Sequence, residues 1–500
     1  MKVAAFCALA FLLSATSCKK DRRDDEGETI VIAPNVNVYA LRQDNRLIAF
    51  NAQTGSEVSA QVSITGMQTG ETMLAIDFRP ATGQLYGVSS GSRIYVINPT
   101  SGLARAINST PFSPAISGTA VGFDFNPTVD RIRLVTENGQ NLRLNPETGL
   151  VAATDGTLNG ATGVKIASAA YTESYAGAST TILYDIDGAT QKLYKQDPPN
   201  DGKLVEVGSL GIQSTEAADF DISPDNKAAL APITVGGQQG LYVIDLSSGK
   251  AYKAATFNTK VLSLAIPTNP VAYAVSVNNE LMIFNPANPA PVLKAITGLQ
   301  SNESVVGIDF RPVNGQLYAL GSTSRLYTVN ASSGVAAVVG GPFSTALSGT
   351  SFGFDFNPTV DRIRVVSNTG QNLRLNPNDG TVAAVDGALT AANNSITGAA
   401  YTNNFAGATT TVLFDINSQN GRLYRQDPPN DGTLVEVGSL GVTIDAANGF
   451  DIGGSSNTAY AILTVGGTTR LYAVSLQNGA LTAGPTFSQG VRGFALGLGF

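Results

Sequence analysis

The chain has 500 residues, more than one ordinary domain needs, with 43% hydrophobic and 14% charged residues and a net charge of −7. That balance argues against nucleic acid or an anionic membrane surface as the partner. There is no His and no Trp, and the two cysteines are Cys7 and Cys18, which excludes Ser-His-Asp and Cys-His mechanisms and argues against zinc, copper and iron sites. No cofactor is expected, although oxygen-only calcium sites remain open.

The N-terminus carries an address. Met1–Ser17 reads MKVAAFCALAFLLSATS, a charged start and an apolar stretch too short to span a bilayer. Small residues then precede Cys18, which resembles the lipobox of bacterial lipoproteins, with Ala15 where Leu is usual; an ordinary secretory signal is the alternative. Residues 18–33 open with CKKDRRDDEGE and form a charged, disordered tether. Acidic residues behind such a cysteine resemble the surface-export signal of Bacteroidota lipoproteins. The expectation is a lipid-anchored protein of the outer membrane, at the cell surface or on the periplasmic face.

Residues 34–266 and 267–500 are two copies of one unit, matched at an offset of 230 to 232. GQNLRLNP (139–146) returns at 370–377, and QDPPNDGKLVEVGSLG (196–211) returns at 426–441 with one change. Inside each copy a strand end followed by Asn or Asp and a short turn recurs every 40 to 52 residues: FNAQTG at 50, INPTSG at 97, LNPETG at 144, QDPPNDG at 196 and IDLSSG at 244. That period, with about four short strands per repeat, is the signature of propeller blades. The fold class is therefore an all-β propeller. Orphan strands VLSLAI (261–266) and VRGFALGL (491–498) end the copies and favour two tandem five-bladed rings. The alternative is one ten-bladed ring, which the short connection Pro267–Pro270 would suit.

The peptide GFDFNPTVDRIR occurs at 122–133 and again at 353–364. If Leu134 and Leu142 share a face, Arg133 and Arg143 share the other, and the loop Glu137-Asn138-Gly139 needs Gly139 in the left-handed conformation. Asp124 then lies opposite Arg133 and supplies the carboxylate that two facing arginines require. Asp355, Arg364 and Arg374 form the same row in the second copy. These six residues are the candidate ligand-binding set, a cationic spot for an acidic group such as a uronate; the plain alternative is an ionic row that fixes register. Asp77, Asp221, Asp309 and Asp451 recur at the strand position of Asp124 and point to caps for backbone N–H groups, or to a calcium-binding ring. The DPPNDG loops offer Asp197, Asp201, Asp427 and Asp431 as weak calcium candidates, without EF-hand spacing. Tyrosines such as Tyr95 and Tyr327 on third strands are expected to pack.

Long stretches of both copies, GIDFRPVNGQLYAL (307–320), SGTSFGFDFNPTVDRIRVVSNTGQNLRLNP (348–377) and AAYTNNFAGATTTVLFDI (399–416), resemble a bacterial family, domain of unknown function 4394. The counterpart at 168–186 is a looser match. The resemblance implies a compact, propeller-like, usually exported domain and brings no catalytic residues. Three functions compete: a non-catalytic binding or adhesion module for a glycan or envelope protein, a structural part of a surface assembly, and a carboxylate-based glycoside hydrolase or polysaccharide lyase.

Overall fold

The computed structural model describes residues 31–55, 58–390 and 395–500. The signal peptide, Cys18 and the tether as far as residue 30 lie outside the described residues. Among the described residues no helix is long and apolar enough to cross a membrane. The described chain forms ten antiparallel sheets, each with four principal strands, and one carries an extra short strand, Asp221–Ile222.

The third sheet illustrates the build. It runs Val121–Asn126, Arg131–Thr136, Asn141–Asn145, Leu150–Thr154. The first of these strands is buried at nearly every position, whereas the last alternates exposed and half-buried residues. An inner strand is covered on both faces and so reads almost continuously apolar; an outer strand is wet on one side. Register follows the expected parity: Leu134 lies opposite Leu142, Arg133 opposite Arg143 and Asp124 opposite Arg133. Gly139 takes φ +81° in the three-residue loop, and Gly370 takes φ +84° in its counterpart.

The sheets stack face to face and share cores. Leu41 and Leu47 pack with Met73 and Phe78; Tyr86 and Val88 with Phe123 and Phe125; Val135 with Tyr171 and Leu183. Ile186 and Leu193 pack with Phe220 and Ile233, and the fifth sheet shares Leu230 and Leu241 with Val38 and Phe50 of the first. The second copy repeats the sequence of cores, its last joining Ile462 and Leu471 to Met282 and Phe284. Tyr95, Tyr194, Tyr242, Tyr327, Tyr424 and Tyr472 are buried packing residues.

Each orphan strand pairs within its own copy. Val261–Ala265 lies antiparallel to Asn37–Arg42, with Ala40 opposite Leu264. Val491–Leu496 lies antiparallel to Ala272–Ser276, with Ala274 opposite Phe494. The connection through Pro267–Pro270 therefore links two sheets and is not a hairpin within one. The copies meet along a buried seam. Fully buried Arg79 donates to Asp130 (2.8 Å) and Glu147 (2.7 Å) in its own copy and to the Gly315 carbonyl (3.0 Å) in the other. Tyr273 Oη donates to the Ala81 carbonyl at 2.9 Å.

In the second copy the inner strands approach one another through glycine. A Cβ on Gly307 would sit 2.6 Å from Phe354 Cβ, on Gly398 2.9 Å from Phe450 Cβ, and on Gly449 2.4 Å from Phe494 Cβ. A side chain there forces the strands apart. Gly449→Val is predicted to destabilise the protein by about 1–3 kcal/mol. Gly341→Ala, whose Cβ meets nothing within 4 Å, should stay within about 0.5 kcal/mol. Urea denaturation checks both, and equal midpoints would contradict the close approach.

Candidate functional site

Among the described residues the innermost strands end their sheets, apart from a parallel bridge between Asp219 and Ser263. Asp77, Asp124 and Asp221 sit on these strands and reach N–H groups of neighbouring inner segments. Asp77 accepts from its neighbour Phe78 N (2.6 Å) and from Phe125 N on the next inner strand (2.9 Å). Asp124 accepts from Tyr171 N at 3.2 Å, and Asp221 from Ile222 N (2.6 Å) and Ile266 N (2.5 Å). The second copy repeats this: Asp309 accepts from Phe310 N and Phe356 N, Asp355 from Tyr401 N, Asp451 from Ile452 N and Leu496 N. The capping role expected for this strand position is what these contacts supply.

The three carboxylates of each copy also meet one another. Asp77, Asp124 and Asp221 present oxygens within 4.8 Å of one another, as do Asp309, Asp355 and Asp451, and all six are buried. At that separation two ionised carboxylates repel by about 3–4 kcal/mol even at an effective dielectric of about 20. Burial, then neighbouring carboxylates, push Asp77, Asp124, Asp309 and Asp355 well above the usual range. Burial raises Asp221 and Asp451 to about 7. Asp355 and Asp451 lie close enough for their carboxyl groups to interact directly. An all-oxygen set suits protons or a hard divalent cation, but much of its acceptor capacity already serves backbone N–H groups.

The arginines gather elsewhere. Arg133, 2% exposed, donates Nε to Tyr171 Oη (3.3 Å), Nη1 to Asn141 Oδ1 and Asp155 Oδ2 (both 2.7 Å), and Nη2 to Asn200 Oδ1 (2.8 Å). Arg143, about a third exposed, grips the same Asp155 with two hydrogen bonds of 2.7 and 2.9 Å. Arg364, Arg374, Asp386, Asn372, Asn430 and Tyr401 reproduce the network in the second copy. Burial raises Asp155, but hydrogen bonds from Arg143 and Arg133 outweigh it and hold the carboxyl below its usual range.

The expectation that Asp124 and Asp355 sit between the arginines is corrected. Those two are committed to the axial carboxylates and to Tyr171 N or Tyr401 N, while the long arginine side chains reach Asp155 and Asp386. The acidic group held by each arginine pair is the protein's own. The six candidates thus divide between two places instead of forming one cationic spot. The DPPNDG loops contribute Asn200 and Asn430 to these networks, whereas Asp197, Asp201, Asp427 and Asp431 are exposed and join neither three-carboxylate cluster found among the described residues. Asp427 faces Arg425 at 3.0 Å. Asn141, Asp155 and their counterparts were not singled out from sequence, although GQNLRLNP is identical in the two copies. Asp185 and Asp415 were also missed: both are buried without a hydrogen-bond partner, and burial, opposed by Arg133 or Arg364, raises them to about 8.

Beside the first copy's inner strands lies a cavity of about 270 Å³ to which all five of that copy's sheets contribute, with Asp219 in its lining. Asp219 is a further buried carboxyl, accepting from Phe123 N (3.2 Å), Ala169 N (3.1 Å) and Ser263 Oγ (3.3 Å). Around the glycines and phenylalanines of the second copy the void is about 10 Å³.

The buried aspartates make stability pH-dependent. Their folded pKa values lie above the unfolded value, so the native state binds more protons, and stability falls as pH rises from about 4 through about 8. With no His in the chain, little else titrates between about pH 5 and 8. Asp355→Asn keeps an acceptor for Tyr401 N and removes one titrating carboxyl group, so it should flatten part of this slope. Asp355→Ala should lose about 1–3 kcal/mol, from the orphaned amide. Urea denaturation at pH 5 and pH 8 checks this; stability that is equal or greater at pH 8 would contradict it.

A search of curated proteins finds no match. The family model described as a domain of unknown function, DUF4394, matches residues 46–265 and again residues 280–495. With most of its length matched in two successive copies, the chain belongs to the DUF4394 family.

Proposed function

We propose that this chain is a non-catalytic binding module of the cell envelope, built as two five-bladed propeller rings and held at the outer membrane by a lipid on Cys18. The ring reading is supported by each copy's last strand pairing with its own first, and by the fifth sheet of each copy sharing a core with the first. The binding reading rests chiefly on how the repeated charged residues are used. Asp124, Arg133 and their counterparts are buried and bound to the protein's own groups, which leaves them architectural. A glycosidase needs two carboxyl groups flanking a sugar in an open cleft; the clustered carboxylates here face backbone amides. Exposed ring faces on a tether suit a glycan or an envelope protein as the partner, and two copies suit a polymer through avidity.

Residues 267–500 expressed alone should unfold cooperatively; failure of this half to fold would favour a single ten-bladed ring. A thermal-shift series on residues 31–500 against neutral and acidic polysaccharides should raise the midpoint with at least one polymer. No shift across the series, together with no envelope protein captured by cross-linking on cells, would overturn the binding reading. Metabolic labelling with a fatty-acid analogue should mark the exported chain and fail for Cys18→Ala.

A further inference from the structure

The two copies differ most in charge at the cavity beside the inner strands. The first copy's cavity is lined by Glu137, Lys165, Glu216, Asp219 and Lys260. At the matching positions of the second copy stand Asn368, Ser395, Ala446, Gly449 and Gly490, so every one of these charges is absent there. The second copy has charges of its own nearby, Asp445 for Thr215 and Arg492 for Leu262, but the glycine at 449 lets the inner strands close. The first copy keeps an open polar chamber, while the void around the inner glycines and phenylalanines of the second is about 10 Å³.

The chamber's charges are not all spent. Lys260 and Glu216 pair with each other at 2.7 Å. Glu137 accepts from Thr119 N and Oγ1 at 3.0 and 3.2 Å. Lys165 is exposed and has no hydrogen bond or ion pair within the described residues. Asp219 is 1% exposed and receives three long hydrogen bonds, of 3.1 to 3.3 Å, and burial raises its carboxyl well above the usual range. An exposed ammonium that lies in the field of Glu137, with no hydrogen bond or ion pair among the described residues, and a buried carboxyl thus line one cavity. Its 270 Å³ exceeds the roughly 150 Å³ that holds a benzene ring, which leaves space for about 10 to 15 non-hydrogen atoms.

We propose that the cavity of the first copy binds a small zwitterion of the amino-acid or dipeptide class, its ammonium donating to Asp219 and its carboxylate paired with Lys165. This deepens the binding-module reading and rests on it. The exposed pair Lys260–Glu216 and the residues Thr119 and Thr215 line the same chamber.

The test is calorimetric titration of residues 31–500 with L-alanyl-L-alanine, its N-acetyl form and its C-terminal amide. The dipeptide should bind, and each capped form should bind at least about tenfold more weakly, the loss expected for one charge-assisted hydrogen bond. Lys165→Ser, at an exposed position, and Asp219→Gly, each placing the second copy's residue in the first, should weaken the dipeptide about tenfold or more. Lys165→Ser keeps the test decisive if Asp219→Gly misfolds. No binding at millimolar dipeptide, equal binding of the capped forms, or unchanged affinity in Lys165→Ser would overturn the proposal. A polysaccharide shift that persists alongside such a failure would leave the binding module standing and remove only this site.

Discussion

The structure depends on how the buried inner edges of its sheets are satisfied. A strand at the end of a sheet presents unpaired N–H groups, and a buried unpaired N–H costs about as much as a lost hydrogen bond. At the centre of each copy no further strand can be added, because the sheets radiate outward. Aspartate solves this: Asp77, Asp221, Asp309 and Asp451 each bridge an amide of their own strand and an amide of a neighbouring inner strand, while Asp124 and Asp355 reach across to one. The cost is three carboxyl groups crowded within 4.8 Å, and burial and mutual repulsion push them toward the protonated form. The axial carboxyls and the pH dependence are one feature seen twice.

The repeated peptide GFDFNPTVDRIR serves two ends of one sheet. Its aspartate works at the axis, and its second arginine works further out, where it joins the third sheet of each copy to the loop of the fourth through Asn200 or Asn430. Removing one partner of so buried a pair strands the other charge, which is far more costly than an exposed ion pair. That both copies hold matching distances, 2.8 Å from arginine to the loop asparagine in each, fits a scaffold that must close identically twice. The open chamber of the first copy lies outside this shared frame, at positions where the copies have diverged.

Much of the architecture was legible because strand parity is local. Arg133 opposite Arg143, Asp124 opposite Arg133 and the left-handed Gly139 all follow from counting residues around one hairpin. Which strand the orphan Val261–Ala265 would join was not local, since the strand following Pro270 and the strand at Asn37 offer equally suitable edges. Asp155 escaped notice because it follows the outermost strand, past a register shift between Arg143 and Leu144, where parity no longer predicts a neighbour. The clustering of Asp77, Asp124 and Asp221 joins three sheets and has no signature in any one of them beyond recurrence. The divergence at the chamber is visible on aligning the copies, but its meaning needs the cavity.

The central claim is that the buried carboxyls, the axial clusters among them, are protonated at a pH where the exposed acids are ionised. Infrared spectroscopy of residues 31–500 at about pH 6, where exposed carboxyl groups are ionised, measures it directly. The account predicts a C=O stretch of protonated carboxylic acid in the folded protein, reduced in Asp355→Asn and lost on unfolding at the same pH. A folded protein showing ionised carboxylate bands alone would contradict it.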